Sequence, residues 1–223
     1  MSDCGSMMWM PMPGQSWPGV AATFLGMWMV MMAAMMLPTL TPMLWRYREF
    51  VRTTAENRLT WLVVLVAAGY FCVWALTGLL VFIAGAGFAA LEMQSNAVAQ
   101  AAPVLAGGVV LAGGALQLTK WKAHRLACCR ELPACSCHAV ATFAAAWRHG
   151  LRIGLQCSYC CAGFTAILLA VGVMDLRAMA VVTVAISLER LMPAGERMAR
   201  LAGVVAFAVG LTMIVGHGST VAY

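Results

Sequence analysis

A chain of 223 residues that is 63% hydrophobic and only 10% charged lacks the polar surface of a soluble domain, in which roughly a quarter of residues carry charge. A helix bundle in lipid needs no such surface, because hydrocarbon covers its outer face. The net charge of +6 does not point to nucleic acid, because the basic residues sit in short gaps between long apolar runs, where they serve as topological signals of a membrane protein.

The chain opens with MSDCGSMMWMPMPG. Residues 1–19 read as a methionine-rich extracytoplasmic tail in which Cys4, Met7, Met8, Met10 and Met12 could collect a soft metal. The first charge is Asp3, so a basic leader region is missing, and the first span is expected to be a retained helix. A bilayer core takes roughly 20 apolar residues in helix. Six such segments are predicted: Val20–Met43, with Pro38 and Pro42 at its end, then Trp61–Gly85, Pro103–Thr119, Ile153–Met174, Ala178–Pro193 and Leu201–Val215. The fifth is the shortest and is bordered by charge at Arg177 and Glu189. Residues 20–223 thus read as one all-α polytopic membrane domain of about six helices, with a cysteine-containing loop at 120–148.

The basic residues test this count. Arg46, Arg48, Arg52 and Arg58 fall in the first gap. Lys120, Lys122, Arg125, Arg130, Arg148 and Arg152 fall in the third, and Arg190, Arg197 and Arg200 in the fifth. Of the 14 basic residues only Arg177 falls on the other side, which marks that face as cytoplasmic and both termini as extracytoplasmic. Trp17, Trp45, Trp61, Trp121 and Trp147 lie near span ends, as interfacial anchors do. Gly107, Gly108, Gly113 and Gly114 let the third span approach a neighbour closely.

The chemistry lies in sulfur. Cys157, Cys160 and Cys161 stand at i, i+3 and i+4 and share one face of the fourth span. Thiolates are soft ligands for Cu(I) or zinc, and a charged ion in hydrocarbon needs such partners. On the first span Met27, Met31 and Met35 form one stripe, and Met29, Met32 and Met36 a second. Thioethers suit Cu(I) while remaining uncharged. Cysteine and methionine also serve as ordinary packing residues, so a purely structural role stays open. In the third gap Cys128, Cys129, Cys135, Cys137 and His138 cluster too tightly for an ordinary zinc knuckle, but could pass an ion to an acceptor. His124 and His149 read as interfacial, and His217 as a ligand of low weight. No Walker loop, dinucleotide fingerprint or HExxH helix occurs, and no serine nucleophile elbow, so no enzyme is expected.

An ordered set of residues resembles a large bacterial family of predicted metal-binding integral membrane proteins. It comprises Met27-Trp28, Ala34-Met35-Met36-Leu37-Pro38 and Pro42, then Gly69-Tyr70 and Trp74, then Gln117-Leu118-Thr119, Lys122, Cys129-Arg130 and Pro133. Gly154, Cys157, Cys160, Cys161, Gly172, Met174, Leu176, Leu188-Glu189 and Pro193 complete it. The chain departs from the pattern at Lys120, where a proline usually follows the Gln-Leu-Thr run, and at Ala162, where tryptophan is usual. The resemblance implies a metal-binding membrane role.

The leading expectation is therefore a soft-metal binding, transport or delivery protein of the bacterial inner membrane. Copper(I) is its first ion and zinc its second. Its metal ligands are drawn from Cys157, Cys160, Cys161, Met27, Met31, Met35, Met36 and Cys129. Its partners would be the lipid bilayer, a metal-accepting or membrane protein and, in an oligomer, a second copy. Two alternatives remain: a non-enzymatic assembly partner with structural cysteines, and a membrane thiol oxidoreductase.

Overall fold

The computed structural model describes residues 16–52, 58–120, 122, 142–171, 176–192 and 195–221. All the elements in these residues are helical: α1 (Trp17–Arg52), α2 (Leu59–Gln94), α3 (Asn96–Leu118), α4 (Phe143–Val171), α5 (Leu176–Leu191) and α6 (Gly195–Val221). The six helices are those expected from hydropathy, and all except α5 are long and apolar enough to cross a membrane. Helix α5 has 16 residues, which span only about 24 Å at 1.5 Å per residue.

Several boundaries differ from the expected ones. Helix α1 begins inside the supposed tail and runs straight through Pro38 and Pro42. Membrane helices tolerate such prolines where hydroxyls and neighbouring helices take up backbone groups. The carbonyls that Pro38 and Pro42 deprive of an amide donor are those of Ala34 and Pro38; the hydroxyls of the stretch bond elsewhere, Thr39 Oγ1 donating to the Met36 carbonyl at 2.9 Å and Thr41 Oγ1 to the Leu37 carbonyl at 2.7 Å. Helix α4 begins ten residues earlier than the apolar run at Ile153, because Phe143 to Arg152 form a polar first segment of the same rod. The 120–148 loop is shortened accordingly.

The helices alternate in direction. Phe24 meets Phe82 at 5.5 Å between ring centroids, and Trp28 Nε1 donates to the Trp74 carbonyl at 3.0 Å, so α1 runs antiparallel to α2. Helices α2 and α4 run parallel, with Gly69 against Trp147 and Gly154 against Tyr70. Helix α3 packs antiparallel on α6, with Gly107 near Ile214 and Gly114 near Phe207. One end of the bundle therefore carries the end of α1, the start of α2 and the start of α4. There Tyr47 stacks on His149 at 5.6 Å and Arg58 lies 5.7 Å from the Phe143 ring centroid. Among the described residues, Arg46, Arg48 and Arg52 at the end of α1, Arg58 at the start of α2, and Arg148 and Arg152 in the first turns of α4 lie at this same end. Trp17, Trp45 and Trp61 are exposed, as anchors at a lipid boundary would be. Trp121 lies outside the described residues.

Two glycine seams set the spacing. A methyl on Gly114 would fall 2.6 Å from the Phe207 nitrogen, so α3 and α6 touch backbone to backbone. A methyl on Gly150 would overlap the Val66 carbonyl oxygen, and one on Gly69 would lie 2.8 Å from the Trp147 oxygen. Backbone atoms cannot step aside as a flexible side chain can. Gly150→Ala is expected to destabilise the protein by about 1–3 kcal/mol, the usual cost of overpacking, and to push Tyr70 away from α4. Thermal unfolding in detergent measures this, and an unchanged midpoint would contradict the seam.

Candidate metal centre

The core lies where α4 is enclosed by α1, α2 and α5. On α1 the buried positions are Phe24, Trp28, Met31, Met32, Met35, Met36 and Leu40. Both methionine stripes thus turn inward, because i+3 and i+4 steps together cover one broad face. On α4 the buried positions include Ile153, Cys157, Cys160, Cys161, Phe164 and Leu168. The three thiols are 0%, 2% and 2% exposed, so none of them faces lipid.

Cys157 sits where three helices meet. Its Sγ donates to Met36 Sδ of α1 at 3.8 Å, and it lies 3.0 Å from the Tyr70 hydroxyl of α2. Cys161 stands one turn further along α4, four residues from Cys157 on the same side of the helix. The guanidinium Nη2 of Arg190, from the end of α5, donates to Cys161 Sγ at 3.7 Å. Two thiols, a thioether, a phenol and a cation therefore form a continuous chain through the packed interior.

Cys160 belongs to a different side of α4. Gly163, three residues on, abuts the Gly113 carbonyl of α3 and the Gln117 amide. The Cys160 carbonyl accepts a hydrogen bond from Lys122 Nζ. Lys122 in turn pairs with Glu189 at 3.2 Å, and its ammonium lies 5.4 Å from the Phe164 ring centroid. Lys122 and Glu189 are 4% and 3% exposed. This ion pair links the end of α3 to the end of α5, behind the thiols.

Among the described residues no three His, Cys, Asp or Glu side chains form a ready-made metal cage. The convergence is a mixed one, in which a methionine supplies what a third cysteine does not. A soft ion is what such a donor set suits, since thioethers bind hard cations poorly.

A family model described as PpoB2, copper chaperone, matches residues 25–213 of the chain. The chain belongs to this copper chaperone family. Compared with curated proteins and with solved structures, it matches none. Its role is accordingly non-enzymatic copper delivery by a multi-pass membrane protein, with copper as cargo and a copper-accepting partner implied. The alternatives of a thiol oxidoreductase and of a purely structural assembly partner give way to this membership, and zinc finds no support in it.

The residues expected to serve the chaperone divide into groups. Met31, Met35 and Met36 are buried in the core with Cys157, Cys160 and Cys161, while Met27 is partly buried against it. Met36 is the methionine whose sulfur reaches a thiol. Cys129 lies outside the described residues, as do Cys128, Cys135, Cys137, His138 and the tail sulfurs Cys4, Met7, Met8, Met10 and Met12. In the sequence Lys122 stands in the third gap and Glu189 at the border of the fifth span. The structure buries Lys122 against Glu189 and brings Arg190 to Cys161. A signal was present, because a carboxylate at the edge of a short span needs a partner of opposite charge. Tyr70, which adds the hydroxyl, stood within the apolar run of α2 without a polar neighbour to single it out.

Proposed function

We propose that this copper chaperone holds its cargo as Cu(I) between α1 and α4, with Cys157, Cys161 and Met36 as the ligands. The observation that carries this reading is the approach of Cys157 Sγ to Met36 Sδ, 3.8 Å across two helices in a fully buried site. Sulfurs at that separation can flank one ion at a metal–sulfur distance of about 2.3 Å, the zinc–thiolate value. Thiolate with thioether is a donor pair that selects cuprous ion.

Met27, Met31 and Met35 lie toward the N-terminal end of α1 and form a graded approach of uncharged sulfurs to the site. Cys160, on the Lys122 side of α4, and Cys129, in the segment that precedes α4 in the chain, form the way out. In the bacterial inner membrane, with both termini outside, this route would carry copper from the extracytoplasmic tail to thiols at the cytoplasmic face and on to an acceptor.

The test is elemental analysis of reduced, detergent-purified protein loaded with Cu(I), beside a variant with Cys157, Cys160 and Cys161 all changed to serine. Near-stoichiometric copper in the parent and its loss in the variant supports the centre. Equal copper in both would move the site to the tail or the loop. Met36→Leu conserves volume, so stability should change by less than about 1.5 kcal/mol. Its Cu(I) affinity, read by competition with a chromophoric cuprous chelator, should nevertheless fall roughly tenfold or more. An unchanged affinity would remove Met36 from the ligand set.

A further inference from the structure

The glycine seams of α3 converge on a side chain that the copper centre does not use. Gln117 stands near the end of α3, one turn beyond Gly113 and Gly114. It is 3% exposed, and among the described residues neither its amide oxygen nor its amide nitrogen meets a hydrogen-bond partner. Its neighbours across both seams are glycines. A methyl on Gly163 of α4 would lie 3.2 Å from the Gly113 carbonyl oxygen and 3.8 Å from both Cδ and Nε2 of Gln117. A methyl on Gly203 of α6 would lie 3.0 Å from the Gly114 carbonyl oxygen and 2.9 Å from Gln117 Cβ. The amide therefore points into a junction of three helices, and its walls are largely backbone. Gly113, Gly163 and Gly203 leave out the β-carbons that would otherwise close on it. A primary amide has two N–H bonds to donate and an oxygen with two lone pairs to accept. Such groups are costly to bury unmet, and in native interiors they find a protein or water partner.

We infer that Gln117 holds an internal water molecule at the junction of α3, α4 and α6, bonded to the amide and to the backbone carbonyls of the Gly113–Gly163 seam. Water is the ligand whose chemistry fits. It donates and accepts at once, as the amide requires, whereas a cation would use only the amide oxygen and an anion only the nitrogen. The carbonyl oxygens of Gly113 and Gly163 each face the opposite helix, and a backbone carbonyl keeps a second lone pair after its helical bond is made. Buried waters typically make about three hydrogen bonds to groups of this kind. The place of the water also divides α4. Gly163 lies three residues beyond Cys160, on the side of α4 that turns to α3, whereas Cys157 meets Met36 and Tyr70 elsewhere on the helix. One side of α4 thus carries sulfur contacts and the other a polar, hydrated one, and an ion passed from Cys157 toward Cys160 moves toward water. The water site itself rests on no assignment of copper ligands.

The experiment is an experimental structure of the full-length protein at a resolution that shows ordered water, for the parent and for Gln117→Leu, together with thermal unfolding of both in detergent. The parent should show density within about 2.7–3.2 Å of Gln117 Oε1 or Nε2, and Gln117→Leu should lose it. The unfolding midpoint of Gln117→Leu should fall by roughly 2–8 °C, because the substitution strips a buried water of its partners. A Gln117 amide bonded directly to a carbonyl, with no density beside it, would overturn the inference. Density kept in Gln117→Leu would assign the water to the carbonyls and remove the role of Gln117. An unchanged or raised midpoint would mean that the amide is not hydrated, since replacing an unsatisfied polar group by an apolar one of similar shape is neutral or stabilising. If Gln117→Leu does not fold, the density of the parent decides alone. Cys157→Ser should show the same density as the parent, so that failure of the copper centre and failure of the water site are read separately.

Discussion

Cys157→Ser is expected to weaken Cu(I) binding by about a hundredfold or more, beyond the 10–100-fold typical of an outer-shell partner, whereas Cys160→Ser should stay within a few-fold of the parent. The two thiols are equally buried and three residues apart on one helix. They differ in what surrounds them. Cys157 faces Met36 and Tyr70, so removing its sulfur breaks the link between α1 and α4. Cys160 lies on the side of α4 that turns to α3, beside the backbone contact to Lys122. Tyr70→Phe should fall between them, at roughly tenfold, because it removes one hydrogen bond to a ligand sulfur and leaves the ring in place. Competition with a cuprous chelator measures all three. Equal losses for Cys157→Ser and Cys160→Ser would mean that the trio acts as one site and that the division of the α4 faces has no functional weight.

Lys122→Met is expected to destabilise the protein by roughly 3–5 kcal/mol, the cost of leaving one buried partner of an ion pair uncompensated. For a chain of this size that corresponds to a lower unfolding midpoint by about 10 °C. Both members are almost fully buried, with side chains 5% and 3% exposed. The ammonium also holds the Cys160 carbonyl and lies over Phe164, so several contacts go with it. Lys122→Met combined with Glu189→Gln removes both charges together and should recover most of the loss, because an apolar or neutral pair of similar volume often packs as well as a buried ion pair. Thermal unfolding of the single and double variants decides the matter. A double variant no better than Lys122→Met would show that packing around Lys122, and not its charge, holds the ends of α3 and α5 together.

Much of the architecture is visible in the chain before any folding. Apolar runs separated by basic gaps are a direct consequence of the need to satisfy every backbone group inside lipid, and the six helices follow from them. The ends of those helices were less legible. Hydropathy sees only the apolar part of a rod, so it stopped at Ile153, although the same helix continues back to Phe143 through Arg148 and Arg152. Proline is usually a breaker, so Pro38 and Pro42 suggested an end that α1 does not have.

The candidate site was half legible for a similar reason. Helical spacing alone brings Cys157, Cys160 and Cys161 within one broad arc of α4, which packing then divides between two neighbours, and gathers the methionines of α1 into stripes, because 3.6 residues per turn is a local property. It cannot say which of the two methionine stripes meets the thiols, since that depends on the rotation of one helix against another. Helix packing settled this in favour of Met36. Nor does spacing reveal that residues 70, 122 and 190 approach the same cysteines from three other segments. The sequence by itself determined a multi-helix membrane protein with sulfur side chains turned inside, through composition and period. The tertiary structure decided which sulfurs meet and which charges stand behind them, because close approach at Gly69 and Gly150 fixes the register of α2 on α4, and register is a relation between helices that no single helix encodes.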